Sequence, residues 1–141
     1  MGALTDTKNA LKAALVAAVP AGTVVLVGVD PSAVDVAMYP RFAVLILERM
    51  PYEANITLIV TTQWREWQWS VYCYAGIGGR DEDALDAVAP ILEAVAGLAG
   101  TALDSFSKPL QVRDGAEHDP DMWLDGSPVY RVRLAHERKP G

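Results

Sequence analysis

The sequence predicts an α+β domain: a mainly antiparallel sheet of four to six strands, with an N-terminal helix and a second, kinked helix packed on one face. Three observations predict it. The stretch Glu66–Tyr74 sets Trp67, Trp69, Val71 and Cys73 against Glu66, Gln68, Ser70, Tyr72 and Tyr74, the period of a half-buried antiparallel strand. That strand passes through Gly76, Gly78 and Gly79, which allow a sharp reversal, into a stretch whose apolar residues Leu85, Val88, Leu92, Val95 and Ala99 step by three and four, the period of an amphipathic helix. The chain has 141 residues, 51% of them hydrophobic, which is enough for one domain with its own core; no repeat or linker divides it.

Taken in order, Thr5 or Asp6 can cap a first helix, in which Ala10, Leu11, Ala14, Leu15 and Ala18 form a narrow apolar stripe that ends before Pro20. After the Pro20-Ala21-Gly22 turn, Thr23–Val29 is β-branched and almost wholly apolar, as a strand covered on both faces would be, and Asp30-Pro31-Ser32 closes it. Ala33–Arg41 has no period, and Tyr39-Pro40 favours extended chain, so the segment reads as a loop. Phe42–Glu48 is a second apolar strand, stopped at Pro51. Ile56, Leu58 and Val60 alternate with Thr57, Ile59 and Thr61 in a third, and only Gln63, Trp64 and Arg65 separate it from the tryptophan-rich strand, the spacing of a β-hairpin.

In the second helix Asp81, Glu82 and Asp83 place negative charge at the partly positive N-terminus, and Ala84, Ile91 and Leu98 widen the apolar stripe. Pro90 removes a hydrogen bond and predicts a kink, or a break into two short helices near Val88. Gly97 and Gly100 offer stops, and Ala102–Val112 reads as a short or irregular edge strand broken by Pro109. Arg113–Pro128, RDGAEHDPDMWLDGSP, reads as a 16-residue acidic loop, too long for a mere connector and therefore functional or mobile until bound. Val129–His136 alternates Tyr130, Val132 and Leu134 with Arg131 and Arg133, a final strand, and residues 137–141 read as a polar tail.

The composition excludes several functions. A net charge of −6 with scattered basic residues argues against a surface that grips nucleic acid. The single cysteine, Cys73, cannot form an internal disulfide and reads as a small core residue. The longest uncharged run, Ala13–Val29, has 17 residues with Pro20 and Gly22 in its middle; it reads as helix, turn and strand, not as a membrane span or secretory leader. The expectation is a protein made and used inside a cell, or assembled there into something larger.

No constellation points to catalysis. GIGGRD lies where a phosphate loop would lie, but it lacks the Gly-Lys-Ser/Thr of a Walker loop, and the three acids at the helix start, Asp81, Glu82 and Asp83, would repel a phosphate. Asp114, Glu117, His118, Asp119, Asp121 and Asp125 supply oxygen ligands without the spacing of an EF-hand, so a solvated loop is the expectation. His118 and His136 have no metal-ligand pattern and read as isolated surface histidines, and Ser127 lacks the second glycine of a nucleophile elbow. No catalytic, cofactor or metal site is expected. Trp67 and Trp69 suit the core, whereas Trp64 at a bend and Trp123 in a polar loop suit a protein interface.

An alanine-rich first helix, a strand, the Pro-Arg-Phe-apolar strand Pro40–Leu47, a strand entering a helix through Gly78-Gly79-Arg80-Asp81, and the last strand Tyr130-Arg131-Val132-Arg133-Leu134 together resemble the tail terminator proteins of long-tailed bacteriophages, also known as tail completion or minor tail proteins. The resemblance covers most of the chain in layout. It implies a structural virion protein, assembled in the host cytoplasm, whose homo-oligomeric, hexameric ring caps the head-proximal end of the tail tube, ends tube assembly and joins tail to head. The implied partners are further copies of the chain, the tail tube protein, a head-tail connector or stopper protein, and DNA that passes through without specific binding, with no membrane. Interface candidates are Trp64, Trp123, Asp119, Asp121, Arg131 and Arg133; Asp81, Glu82 and Asp83 are candidates to face the channel. The alternatives are another neck connector or a tube protein, or, from a different class, a small ferredoxin-like ligand-binding domain or enzyme with a pocket on the tryptophan-rich sheet face.

Overall fold

A computed structural model of the chain describes residues 3–50, 64–76 and 81–139, without the side chains of residues 3, 81–84, 119 and 120. Its elements are α1 (Ala3–Ala18), β1 (Val24–Val27), a 3-10 turn (Pro31–Ala33), β2 (Arg41–Arg49), β3 (Arg65–Ala75), α2 (Asp81–Ala96), β4 (Gln111–Leu124) and β5 (Ser127–Arg138). The described strands form one five-stranded sheet in the order β1-β2-β3-β5-β4, antiparallel except for β1, which runs parallel to β2. The expected α+β class and mainly antiparallel sheet are what this chain forms. The strand read at Ile56–Thr61 and its hairpin lie outside the described residues. No helix among the described residues is long and apolar enough to cross a membrane.

Both helices pack on the face that carries Trp67, Trp69, Val71 and Cys73, where Leu11 and Leu15 of α1 meet Val88, Ile91 and Val95 of α2 in the main core. The helix α1 is already running at Ala3, so Thr5 and Asp6 lie within it and do not cap it; Ala18 at its end is exposed. The α2 helix continues through Pro90 without the break that the proline predicted. Pro90 and Asp86 are exposed, so the carbonyl left without its amide partner faces water. Burying Val88, Ile91 and Val95, each worth about 1.5–3 kcal/mol, outweighs the roughly 3 kcal/mol cost of a mid-helix proline. The buried stripe is rotated from the expected one, leaving Leu85 and Ala99 exposed. Burial pushes the Cys73 thiol up to about 12, which suits a core residue and not a nucleophile.

The opposite face has a smaller core of Phe42, Val44, Tyr74 and Val129, covered by Val34, Val36 and Tyr39 from the β1–β2 connection and by Met122 and Leu124 from β4. Asp30 fixes that connection. Its carboxylate accepts hydrogen bonds from the Ser32 hydroxyl at 2.7 Å and the Ser32 amide at 2.9 Å, which hold its pKa below the ordinary value. The β1 strand, expected to be covered on both faces, packs Val25 and Val27 against the main core and Leu26 against the smaller one, though each residue is only half-buried; it is the end strand among those described. At the end of β3, Gly76 does not adopt a positive φ; a Cβ there would come within 2.7 Å of Tyr74 Cζ, so close approach of the ring requires the glycine. Gly78 and Gly79 lie outside the described residues.

The main correction concerns Arg113–Pro128, which is not a loop. β4 extends through it to Leu124 and pairs with β5 from Gln111↔Ala135 to Leu124↔Ser127. The turn is only Asp125-Gly126, with φ of 49° and 79°, the left-handed pair that suits the twist of a two-residue hairpin. Asp114 (φ 60°) and Gly115 (φ 69°) form a bulge where the register shifts between Arg113 and Ala116, and a second shift separates His118 from Trp123. The bulges break the period of two, and Pro120 falls in the second, where the ladder needs no amide. The expected polar tail also begins later, since β5 continues to a buried Arg138. The edge strand expected over Ala102–Val112 does not form: the chain is irregular up to Leu110, with Ser107 making an isolated bridge to Arg138, and β4 starts at Gln111.

Candidate assembly surface

Beyond the smaller core, the sheet face away from the helices is polar. Glu48, Glu66, Gln68, Arg113, Asp114 and Arg133 line a cleft of about 300 Å³ there. The Ser70 hydroxyl donates to Glu48 Oε1. Arg113 and Arg133 stand directly opposite each other, a like-charge pair that separate carboxylates offset: Glu66 lies 3.0 Å from Arg113, and Asp114 lies 4.0 Å from Arg133. In the next row Arg131 faces Glu117 at 3.1 Å. Burial acts to lower the Arg131 pKa, but Glu117 and Tyr72 outweigh it and hold the guanidinium charged. Among the described residues no three side chains are grouped to ligate a metal. This face is chemically suited to presenting fixed, alternating charge to another surface.

One end of the β3–β5 pair is basic and aromatic. Trp64, 39% exposed, lies beneath Lys108 Nζ, 4.7 Å from the ring centre, and Lys139 Nζ, 5.6 Å away. The Lys108 amide donates to the Glu137 carbonyl and the Lys139 amide to the Phe106 carbonyl, which ties this segment to the end of β5. Arg138 is buried against Phe106 and pairs with Asp104 at 3.2 Å. A second cleft, of about 270 Å³, is lined by Glu66, Lys108, Pro109, Arg113, His136 and Glu137, among others.

His136 is not the surface residue that was expected. Its ring is buried and stacks on Trp67 with centroids 6.0 Å apart, and Trp69 Nε1 donates to its Nε2 at 3.1 Å. Because Nε2 accepts, Nδ1 carries the proton of the neutral ring, and Nδ1 makes no close hydrogen bond among the described residues. Burial pulls the His136 pKa down to about 4.

The other end, at the hairpin tip, is acidic. Trp123, 45% exposed, meets His118 edge-on at 4.8 Å, and His118 also leans on Tyr130 at 5.5 Å, so this histidine too belongs to an aromatic cluster. Tyr74 Oη donates to the Leu124 carbonyl at 2.9 Å and anchors the tip; burial and the Asp125 carboxylate raise its pKa. Gly115–Gly126 holds Glu117, Asp119, Asp121 and Asp125 without a lysine or arginine.

The expected site residues do not converge. Trp64 and Trp123 are surface residues at opposite ends of the sheet, Asp119 and Asp121 lie near Trp123 in β4, and Arg131 and Arg133 sit between, paired with Glu117 and Asp114. Asp81, Glu82 and Asp83 form the start of α2. Sequence reading missed Lys108, Arg113, His136 and Lys139, whose neighbours are all remote in the chain. The one available local signal was Asp125-Gly126 between apolar stretches, which marks a hairpin.

The class defined by these features is a small α+β domain with a charged sheet face and surface tryptophans at both ends. No protein-family model matches the chain, and no curated protein matches it in sequence. Among solved structures, its fold is similar to the sheath/tube terminator of an extracellular contractile injection system, PVC, in the extended state, with a TM-score of 0.50 and 12% identity. The match covers 95% of this chain and 54% of that one, so this chain spans about half the length of that terminator. At this identity the likeness is one of fold.

Proposed function

We propose that this chain is a terminator subunit, which acts by occupying a place among copies of itself at the end of a tail or injection tube and not by turning over a substrate. The observation that carries this reading is the shared fold with a sheath/tube terminator over 95% of the chain. Copies form a ring, six-fold in the bacteriophage case, that stops tube growth and gives the next component, a head connector or stopper, a surface to bind. Tube and sheath subunits are the partners on the other side. Asp81, Glu82 and Asp83 are the candidates to line the channel, where like charge would keep passing DNA from sticking. The chain resides in the assembled particle, a virion or an extracellular injection particle, after assembly in the host cytoplasm. Electron microscopy of particles made with and without the chain tests this: tubes of uncontrolled length without it, and a labelled copy at one tube end when it is restored, are expected. Normal capped tubes in its absence, or a label elsewhere in the particle, overturn it.

A further inference from the structure

The two ends of the β4–β5 ladder carry opposite charge. At the Trp64 end, residues 64–66, 104–113 and 137–139 hold five cationic side chains, Arg65, Lys108, Arg113, Arg138 and Lys139, against three carboxylates, Glu66, Asp104 and Glu137. At the hairpin end, residues 117–130 hold four carboxylates, Glu117, Asp119, Asp121 and Asp125, and no lysine or arginine. β5 has 12 residues, so the ends lie roughly 36 Å apart, several times the Debye length of about 8 Å at physiological salt. Each end therefore shows its own sign to an approaching surface, whatever the net charge of the whole chain. Each also exposes a tryptophan, a residue type favoured at the centre of interfaces.

A separate feature of the basic end points to an acceptor as its ligand. His136 is 3% exposed and lines the cleft beside Lys108 and Arg113, and its Nδ1, buried and protonated in the neutral ring, makes no close hydrogen bond among the described residues, although the Glu137 backbone lies near enough to act on the ring. A buried donor left unmade is costly, and a carboxylate satisfies both the donor and the surrounding cations.

We propose that copies of this chain associate head to tail, the acidic hairpin end of one copy docking on the basic end of the next, where a carboxylate accepts from His136 Nδ1. The contact joins two different surfaces, so it propagates around a closed ring or along an open filament. It deepens the ring reading above, since it names the surfaces through which copies would meet. The two Trp-bearing ends come together at the junction.

Complementary charge reversal tests the proposal on the full chain. The wild type should associate in sedimentation velocity at about 50 mM salt and weaken by roughly tenfold or more at about 500 mM. Lys108→Glu/Lys139→Glu leaves an acidic surface at both ends, and Asp119→Lys/Asp121→Lys removes the acidic partner, so each variant alone should sediment as a monomer. Mixed in equal amounts they should associate again, because the reversed basic end of the first meets the reversed hairpin of the second. Restoration on mixing cannot arise from misfolding, and circular dichroism of each variant confirms its fold; should a double variant unfold, Lys139→Glu and Asp121→Lys alone repeat the test. A monomeric wild type at low salt, self-association by either variant alone, or a mixture that stays monomeric overturns the proposal. Localisation at a tube end tests the terminator reading separately: a wild type found there whose association ignores these changes refutes the contact alone, whereas association by these rules without tube localisation refutes the terminator reading alone.

Discussion

The two faces of the sheet are built from the same strands, yet they use them differently. On the helix side Trp67, Trp69, Val71 and Cys73 of β3 alternate into a closed core beneath both helices. On the other side the same strand contributes Glu66 and Gln68 to an open charged surface, and Tyr72 and Tyr74 towards its end pack in a small core. One face concentrates free energy of folding, and the other keeps charge available for contact. The comparison teaches that stability and recognition can be separated within one strand by a period of two, so that changes on one face leave the other largely intact.

Substitutions that strike each face in turn break or sharpen this contrast. Trp69→Ala should have the largest effect, about 3–5 kcal/mol lost in urea denaturation, because it leaves a cavity and removes the donor to His136. A loss under about 1 kcal/mol would mean that the helix face is not the main core.

Next in size is a pH effect through His136. Its folded pKa of about 4 lies below the ordinary 6.5, so the fold favours the neutral ring while the unfolded chain takes up a proton first as pH falls. The contribution is complete above pH 6.5, is lost between 6.5 and about 4, and changes no further below that, for a total of about 3 kcal/mol. Denaturation of the wild type and His136→Gln across this window checks it: the variant should show a shallower loss, and equal slopes would refute the assignment.

Tyr74→Phe should cost about 1 kcal/mol, by removing the hydrogen bond to the Leu124 carbonyl, and should speed amide exchange at the hairpin tip before that of the main core. Smallest is Arg113→Ala or Arg133→Ala. Both side chains are about half exposed, and their pairs with Glu66 and Asp114 are screened, so melting should shift by no more than about 0.5 kcal/mol equivalent. A large shift at either would place the charged face in the core.

The hairpin shows where local reading stops. The strand Val129–His136 is legible because its alternation is unbroken, whereas β4 reads locally as a loop because two bulges interrupt the alternation and its composition is that of solvated chain. Acids on an edge strand are no obstacle to pairing, since they face water and protect the edge. The same holds for α2, where Pro90 predicted a break that packing overrides.

By itself the sequence determined the α+β class, the core roles of Trp67, Trp69 and Cys73, and the surface placement of Trp64 and Trp123, because each follows from local periodicity and polarity. Only the tertiary structure decided that β1 pairs parallel with β2, that β4 is a strand, and that His136 is buried on Trp67 and Trp69. It also gathered Lys108 and Lys139 over Trp64. These are contacts between residues far apart in the chain, and no local pattern of side chains encodes which distant strand or segment will arrive beside it.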